Sequence, residues 1–168
     1  MEVSKHKEFY TSEMPLVIGV FIDGDIKVSK LIDNFLQEMR SQEELSFELG
    51  KINKIPTFQK ISNRLIYLVG LGKEEEYSYK KLEEALSGTN YKLGKELMVD
   101  VDSFCGELEI QEVASRIIKV VNYYNYVYDE LKTSKVDNDL HLHLVSAREF
   151  DLEEAFNLAT ALNNTRDL

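Results

Sequence analysis

The sequence is poor in the residues that mark secreted, fibrous or flexible proteins. Its 168 residues include one cysteine, Cys105, two prolines, eight glycines and no tryptophan. A single cysteine cannot form an internal disulfide, so nothing in the chain requires an oxidising compartment. The low proline and glycine content leaves little room for linkers. We therefore expect one soluble, cytoplasmic domain.

Long apolar runs and excess positive charge are also lacking. The longest apolar run, Leu16–Ile22, is far too short to span a bilayer, and the polar stretch Met1–Glu13 lacks the apolar core of a signal peptide. The 20 Lys and Arg against 30 Asp and Glu give a formal charge of −10. Such a chain would on average repel phosphates, so we expect neither a nucleic-acid partner nor a membrane partner.

Short apolar runs separated by longer helical patterns predict alternating strands and helices. Four segments are predicted to be strands of a central sheet: Leu16–Ile22, Leu65–Val69, Leu97–Val101 and Leu140–Val145. The segment Lys51–Phe58 has weaker strand character, and Pro56 confines it to an edge or an end. Strands joined by helices imply parallel crossovers. The predicted fold is therefore α/β, a three-layer α/β/α sandwich around a mixed, mostly parallel sheet.

Capping residues and apolar stripes predict four helices. Ser29 and Ser78 are candidate caps, and Asp151 with Glu154 has the spacing of a capping box. The first helix is expected to bury Leu31, Ile32, Phe35, Leu36 and Met39, and the second Leu82, Ala85, Leu86 and Leu93. The pair Ser87-Gly88 should weaken the second helix. The longest pattern, with 3–4 spacing, runs from Ile110 to Leu131, and the last helix is expected to bury Leu152, Ala155, Phe156, Ala159 and Leu162.

The turn Gly70-Leu71-Gly72 lies between a predicted strand and a helix, as dinucleotide-binding loops do. The third glycine of such loops is absent, since Glu75 stands in its place, and the carboxylates of Glu74–Glu76 would oppose a pyrophosphate. We interpret the glycines as a tight turn and expect no nucleotide there. The residues Gly24-Asp25-Ile26 resemble the ligand loop of macro domains, which bind ADP-ribose, and this keeps ADP-ribose binding open as an alternative.

His141 and His143 alternate along a predicted strand, so both rings should lie on one face and the leucines that flank them on the other. A His-x-His pair can ligate a metal ion, but a catalytic site needs at least a third ligand. Asp137 and Asp139 are near in sequence, yet nothing fixes them in range. We therefore expect a half-covered polar face and no transition-metal site. His6, in the polar N-terminal stretch, carries no signal.

Cysteine and tyrosine side chains are the remaining candidates. Cys105 would be a nucleophile only with a histidine beside it, and we interpret it as a passive thiol. Four tyrosines can stack bases but interleave with Asn and Asp rather than arginine: Tyr123, Tyr124, Tyr126 and Tyr128. We interpret Tyr124 and Tyr128 as core packing and an interface ridge. The residues alone therefore assign no catalytic, cofactor-binding or metal-binding role.

Several segments, taken in order, carry a resemblance to a known family. They are Leu16–Phe21, the strand and turn Ile66–Lys73 with its Val-Gly-Leu-Gly, Tyr77, the triplet Asp102-Ser103-Phe104, the aromatic stretch Tyr126–Lys132 and Asn163–Leu168. Together they resemble the N-terminal domain of the leucyl (cytosol) aminopeptidase family over nearly the whole chain. Leu131 and Thr165 depart from the family pattern, which has Tyr and Ala at these positions.

The resemblance implies a fold similar to a macro domain, in agreement with the α/β prediction. It also implies that residues 1–168 form one non-catalytic N-terminal domain of a metallo-aminopeptidase, whose catalytic domain would follow Leu168. In that absent domain two divalent metals, zinc or manganese, would activate the water that attacks the first peptide bond. The implied partners are the catalytic domain and the other subunits of a homo-hexamer. The alternative is a free-standing module for ADP-ribose or a protein partner.

Overall fold

A six-stranded mixed sheet forms the centre of the computed structural model, which describes residues 1–42, 44–87, 95–131 and 140–166. The strands are β1 (Glu2–His6), β2 (Leu16–Val20), β3 (Ile52–Pro56), β4 (Leu65–Gly70), β5 (Glu96–Asp100) and β6 (His141–Val145). Their order is β1-β6-β5-β2-β4-β3, and every neighbouring pair is parallel except β3 and β4. The predicted mostly parallel sheet is confirmed, with the proline-containing strand at an edge.

Four α-helices within the described residues cover both faces of the sheet. They are α1 (Lys30–Gln42), α2 (Tyr79–Ser87), α3 (Ile110–Leu131) and α4 (Leu152–Arg166). Helix α1 packs on one face, where Leu36 shares a buried cluster with Ile18. The other three helices pack on the opposite face, where Ile117 and Ala155 share a buried cluster with Val99. This arrangement confirms the three-layer sandwich. No described helix has both the length and the apolar character needed to cross a bilayer.

Side-chain caps begin three of these helices, as the sequence predicts. The hydroxyls of Ser29 and Ser78 each accept a hydrogen bond from the backbone N–H three residues further on, at 3.3 and 3.2 Å. Before α4, Asp151 Oδ1 accepts from the Glu154 N–H at 3.0 Å. The Asp151 N–H, however, donates to Gln111 Oε1 on α3 at 2.8 Å. A neighbouring helix therefore supplies the partner that Glu154 would provide in a capping box.

The apolar stripes mostly face inward as expected. Buried members of the stripes include Leu82, Ala85 and Leu86 on α2, Val113, Ala114, Ile117 and Val121 on α3, and Ala155 and Ala159 on α4. Leu31 does not face inward as predicted, because it is 64% exposed. It lies at the margin of the α1 stripe, and the spacing of Ile32, Phe35, Leu36 and Met39 already fills the strip of helix that faces the sheet. Gly88, Leu93 and the side chain of Leu162 lie outside the described residues.

The polar N-terminal stretch contains a strand that the sequence analysis did not predict. Strand β1 pairs in parallel with β6 along its whole length, from Glu2 beside His141 to His6 beside Val145. Its residues are half-buried or exposed, which is typical of an edge strand with one solvated side. Because β1 has no alternating apolar pattern, only its pairing with β6 reveals it.

Candidate functional sites

A crevice lies where the carboxyl ends of β2 and β5 meet. From β2 the chain passes through β3 to β4 on one side and later to β5 on the other, and such a switch point is where open α/β sheets bind ligands. The described residues that line the crevice include Gly19, Phe21, the segment 25–27, Glu74, Asp102, Ser103 and Gly106. The Gly24-Asp25-Ile26 loop singled out in the sequence therefore does reach the crevice.

The Asp102-Ser103-Phe104 triplet holds the crevice wall together. Ser103 Oγ accepts a hydrogen bond from the Gly19 N–H at 2.9 Å and donates to the Asp100 carbonyl at 2.7 Å, which joins β2 to β5. Phe104 is fully buried, and its ring lies so close to Gly19 that a Cβ there would be 3.0 Å away. The triplet thus has a structural explanation in this chain.

Asp102 fastens the loop that follows β6. Its Oδ1 accepts from the Ser146 hydroxyl at 2.6 Å, and its Oδ2 accepts from the Ala147 N–H at 2.9 Å. The Arg148 guanidinium lies 3.7 Å from Oδ1. A carboxylate with both oxygens engaged in this way positions the loop that follows β6.

The charge of the crevice opposes anions. Three carboxylates, from Asp25, Glu74 and Asp102, line it, and Lys27 is the only cation among the described lining residues. Like charges around a cleft repel a phosphate group before it makes contact. The electrostatics of the crevice are therefore unfavourable for a pyrophosphate.

The glycine turn beside the crevice is explained by its backbone. Gly72 has φ +73°, a left-handed conformation that favours glycine. A Cβ on Gly70 would lie 2.2 Å from the Glu48 carbonyl oxygen, so the turn packs tightly against a neighbouring loop. The following Glu74–Glu76 form one exposed 3₁₀ turn. The geometry supports the interpretation as a tight strand-to-helix turn.

Asp100 is the buried carboxyl of this region. Its side chain is 3% exposed, and Oδ2 has no hydrogen-bond partner among the described residues. Burial, reinforced by the negative charge of Asp102, raises the pKa of Asp100 to about 7, although contacts with Ser103 act in the opposite direction. The sequence offered no sign of this, because the strand pattern around Asp100 is simply apolar.

The remaining candidates are the Cys105 thiol and the described tyrosines, Tyr123 and Tyr124. The Cys105 thiol is fully buried and donates to the Val101 carbonyl at 3.5 Å, and burial raises its pKa to about 12. A protonated, buried thiol is not a nucleophile. Tyr124 packs against the core, whereas Tyr123 is 45% exposed. The side chains of Tyr126 and Tyr128 lie outside the described residues.

A second candidate site lies on the α1 face of the sheet, toward the β1 edge. His141 and His143 project to this face with their rings stacked at a centroid distance of 3.9 Å, and Leu142 and Leu144 are buried in the core of the opposite face. The predicted alternation is confirmed. The His143 side chain is 9% exposed and the His141 side chain is 29% exposed, so the polar face is half covered.

Neighbouring strands bring further donor atoms to these rings. Glu96 at the start of β5 places Oε1 3.3 Å from His143 Nε2. On the other ring nitrogen of His143, His6 Nε2 lies 3.1 Å from Nδ1 and the Tyr10 hydroxyl 3.0 Å from it. We call His6, Glu96, His141 and His143 the histidine cluster. Its members come from three adjacent strands, β1, β6 and β5.

The histidine cluster corrects two sequence-based statements. A third potential ligand is in range of the histidine pair, and it is Glu96 rather than Asp137 or Asp139, which lie outside the described residues. His6, which carried no signal, contacts His143. The sequence analysis missed both residues because the parallel pairing of strands brings them to the histidine pair, and sequence spacing does not show that pairing. Glu96, for example, pairs with His141 although 45 positions separate them in the chain.

The environment of His143 favours its neutral form. Burial lowers its pKa below the ordinary value, and the adjacent His141 acts in the same direction, while Glu96 partly opposes them. His141 has its own partners on both nitrogens: Nε2 lies 2.6 Å from Ser4 Oγ, and Nδ1 lies 3.6 Å from Glu2 Oε2.

The sheet order, the covering helices and the crevice define a macrodomain-like α/β fold, and solved structures agree. The macrodomain of Mycobacterium tuberculosis DarG is similar at 12% identity and a TM-score of 0.55, over 85% of this chain and 97% of that chain. The bottromycin maturation enzyme BotP is similar at 15% identity and a TM-score of 0.60, over 91% of this chain and 30% of that chain. Its complex with Mn gives 13% identity and a TM-score of 0.61.

A sequence profile narrows this class to one family. The profile of the cytosol aminopeptidase family, N-terminal domain, matches residues 17–135. The chain belongs to the cytosol aminopeptidase family and corresponds to its N-terminal domain. The resemblance found in the sequence is thereby confirmed. The chain spans 30% of the length of the BotP chain that it matches.

Proposed function

We propose that this chain is the non-catalytic N-terminal domain of a cytoplasmic metallo-aminopeptidase that releases N-terminal amino acids from peptides. The observation that carries the proposal is the family match over residues 17–135. In the parent protein, a separate catalytic domain after residue 168 would hold two divalent metals, zinc or manganese. These metals would supply the activated water and polarise the scissile carbonyl.

The described candidate residues support a non-catalytic role. Asp102 and Ser103 are engaged in hydrogen bonds that hold loops and strands together. Cys105 is buried and protonated at neutral pH. None of these groups is available as the nucleophile or the general base of a hydrolytic site.

The domain's contribution is then indirect, through packing against its catalytic domain and contacts within a homo-hexamer. Helix α4 is the mechanical connection in this proposal, because it is the last helix before the catalytic domain would begin. It is anchored to the domain by buried Ala155 and Ala159 and by a pair of hydrogen bonds between Gln111 and Asp151.

An activity assay on two proteins tests the proposal. The 168-residue chain and the full-length gene product are incubated with leucine-p-nitroanilide and added manganese. We expect metal-dependent turnover by the full-length protein and none by the 168-residue chain. Turnover by the purified chain would refute its non-catalytic role, and an inactive full-length protein would contradict the proposed activity of the parent.

A free-standing ADP-ribose or protein-binding module is the second candidate. Its support is the macrodomain-like fold together with the position of Asp25–Lys27 at the crevice. The carboxylates that line the crevice weigh against the ADP-ribose version, because they oppose a pyrophosphate.

A further inference from the structure

We propose that the histidine cluster binds one divalent transition-metal ion, with zinc as the best match, through His141, His143 and Glu96. This site is formed by residues of the chain itself. The sequence analysis expected no metal site because it found no third ligand fixed beside the histidine pair. Glu96 is such a third ligand.

The donor atoms lie close together, but the rings of His141 and His143 are stacked, so one ring must turn about its side-chain bonds for both nitrogens to face the same ion. One nitrogen of each histidine and one Glu96 oxygen all lie within 4.8 Å of one another. Tetrahedral ligands held about 2.0–2.1 Å from zinc are roughly 3.3–3.4 Å apart. The separation of His143 Nε2 and Glu96 Oε1, 3.3 Å, has this value. Glu96 is 53% exposed and His141 29% exposed, so both side chains have room to complete the site.

The surrounding residues provide the outer contacts that metal-bound histidines require. A ligating histidine usually donates its other N–H to an oxygen or nitrogen nearby, which fixes the ring orientation. With Nε2 of His143 on the metal, its Nδ1 faces the Tyr10 hydroxyl at 3.0 Å and His6 Nε2 at 3.1 Å. Either nitrogen of His141 has an acceptor nearby, since Ser4 Oγ and Glu2 Oε2 lie on opposite sides of the ring.

The ligand set selects the class of metal. Two imidazoles and one carboxylate suit divalent transition metals such as zinc, iron, copper or nickel, whereas magnesium and calcium prefer oxygen ligands alone. Three protein ligands leave a fourth position for water, which the partial exposure of His141 and Glu96 admits. The negative charge of the chain, −10, further favours a cation over an anion.

Calorimetric titration of the 168-residue chain with zinc chloride, after removal of metals by a chelator, tests the site. We expect one ion per chain with a dissociation constant in the micromolar range or below. His141→Gln and Glu96→Gln each remove one ligand, and we expect each to weaken binding at least about tenfold. Glu74→Gln is the matched control, because it removes an exposed carboxylate at the crevice and should leave the affinity unchanged.

Two further measurements make the test decisive. Circular dichroism of the metal-free variants shows whether each retains the wild-type fold, and the exposed position of Glu96 makes its variant the safer of the two. Cobalt(II) added to the wild-type chain should give the visible absorption bands of a four-coordinate site. The Glu96→Gln variant should show weaker absorption. Absence of binding, or equal affinity in wild type and both ligand variants, would overturn the proposal. Neither result would bear on the aminopeptidase activity of the parent.

Discussion

Asp100 is a carboxyl group in an environment that disfavours its charged form. It is 3% exposed, close to the negative charge of Asp102, and its Oδ2 has no partner among the described residues. An ionised carboxylate in such a place is costly, so the proton is retained up to a higher pH than in water. Folding stability must therefore depend on the ionisation of this one residue.

The pH dependence of stability tests this at Asp100. Its pKa is about 7 in the folded chain and about 3.8 when unfolded, so between these values the folded state binds more protons than the unfolded state. The free energy of unfolding should fall as pH rises through this window. The Asp100→Asn variant cannot ionise at this position, so it should not lose this stability as the pH rises. Its free energy of unfolding minus that of the wild type should therefore be about 1–3 kcal/mol more favourable at pH 8 than at pH 5. Urea denaturation at both pH values measures the difference.

Asp23→Asn is the matched control for Asp100→Asn, because it makes the same change of charge at an exposed position. Its stability relative to wild type should vary far less between the two pH values. A relative stability of Asp100→Asn that is the same at pH 5 and pH 8 would show that Asp100 does not carry the raised pKa.

Among the elements, α4 illustrates how a helix is held by groups outside its own sequence. Gln111 on α3 donates from Nε2 to the Asp151 carbonyl at 2.9 Å and accepts from the Asp151 N–H at 2.8 Å. This pair fixes the residue that caps α4. In the proposed parent protein, the same anchor would fix the direction in which the chain leaves the domain.

Replacing Gln111 tests the anchor. Gln111→Ala keeps good helix propensity in α3 and removes both hydrogen bonds to Asp151. We expect a loss of about 1–2 kcal/mol in the free energy of unfolding, because a net protein hydrogen bond contributes about 1 kcal/mol. Amides of the first turn of α4 should also exchange faster with solvent. Asn122→Ala, the same kind of change elsewhere on α3, is the control, and equal effects of both variants would contradict a specific anchor.

At the scale of the whole molecule, charge and fold give opposite indications about ligands. The macrodomain-like fold places a crevice at a switch point of the sheet. The chain carries a net charge of −10, and three carboxylates line that crevice. Because an anion must approach through this field, we expect the electrostatics to oppose phosphate ligands even though a crevice exists.

A thermal-shift screen checks this conclusion. A ligand that binds only the folded state raises the melting temperature. Because we expect no binding, NAD, ATP and ADP-ribose should leave the melting temperature of the chain unchanged. Adenosine, which has no phosphates, is the control that separates recognition of the base from recognition of the phosphates. Stabilisation by ADP-ribose without any by adenosine would make the ADP-ribose module the leading function of this chain.

The class of fold and the family could be predicted from the sequence. The runs Leu16–Val20 and Leu65–Gly70 are apolar throughout. Such continuous runs are typical of central strands that are covered on both faces of a sheet. The predicted helix caps are also confirmed. Ser29, Ser78 and Asp151 each accept a hydrogen bond from a backbone N–H three residues further on. These features are local, so pattern and propensity suffice to predict them.

The contacts between polar residues far apart in the chain could not be predicted from the sequence. Strand β1 has no apolar alternation, and only its parallel pairing with β6 brings His6 to His143. Glu96 reaches the histidine pair because the register of β5 and β6 aligns it with His141. Burial of Asp100 likewise depends on what packs over the end of β5. Long-range register and burial arise from the packing of whole elements, and no short stretch of sequence encodes them.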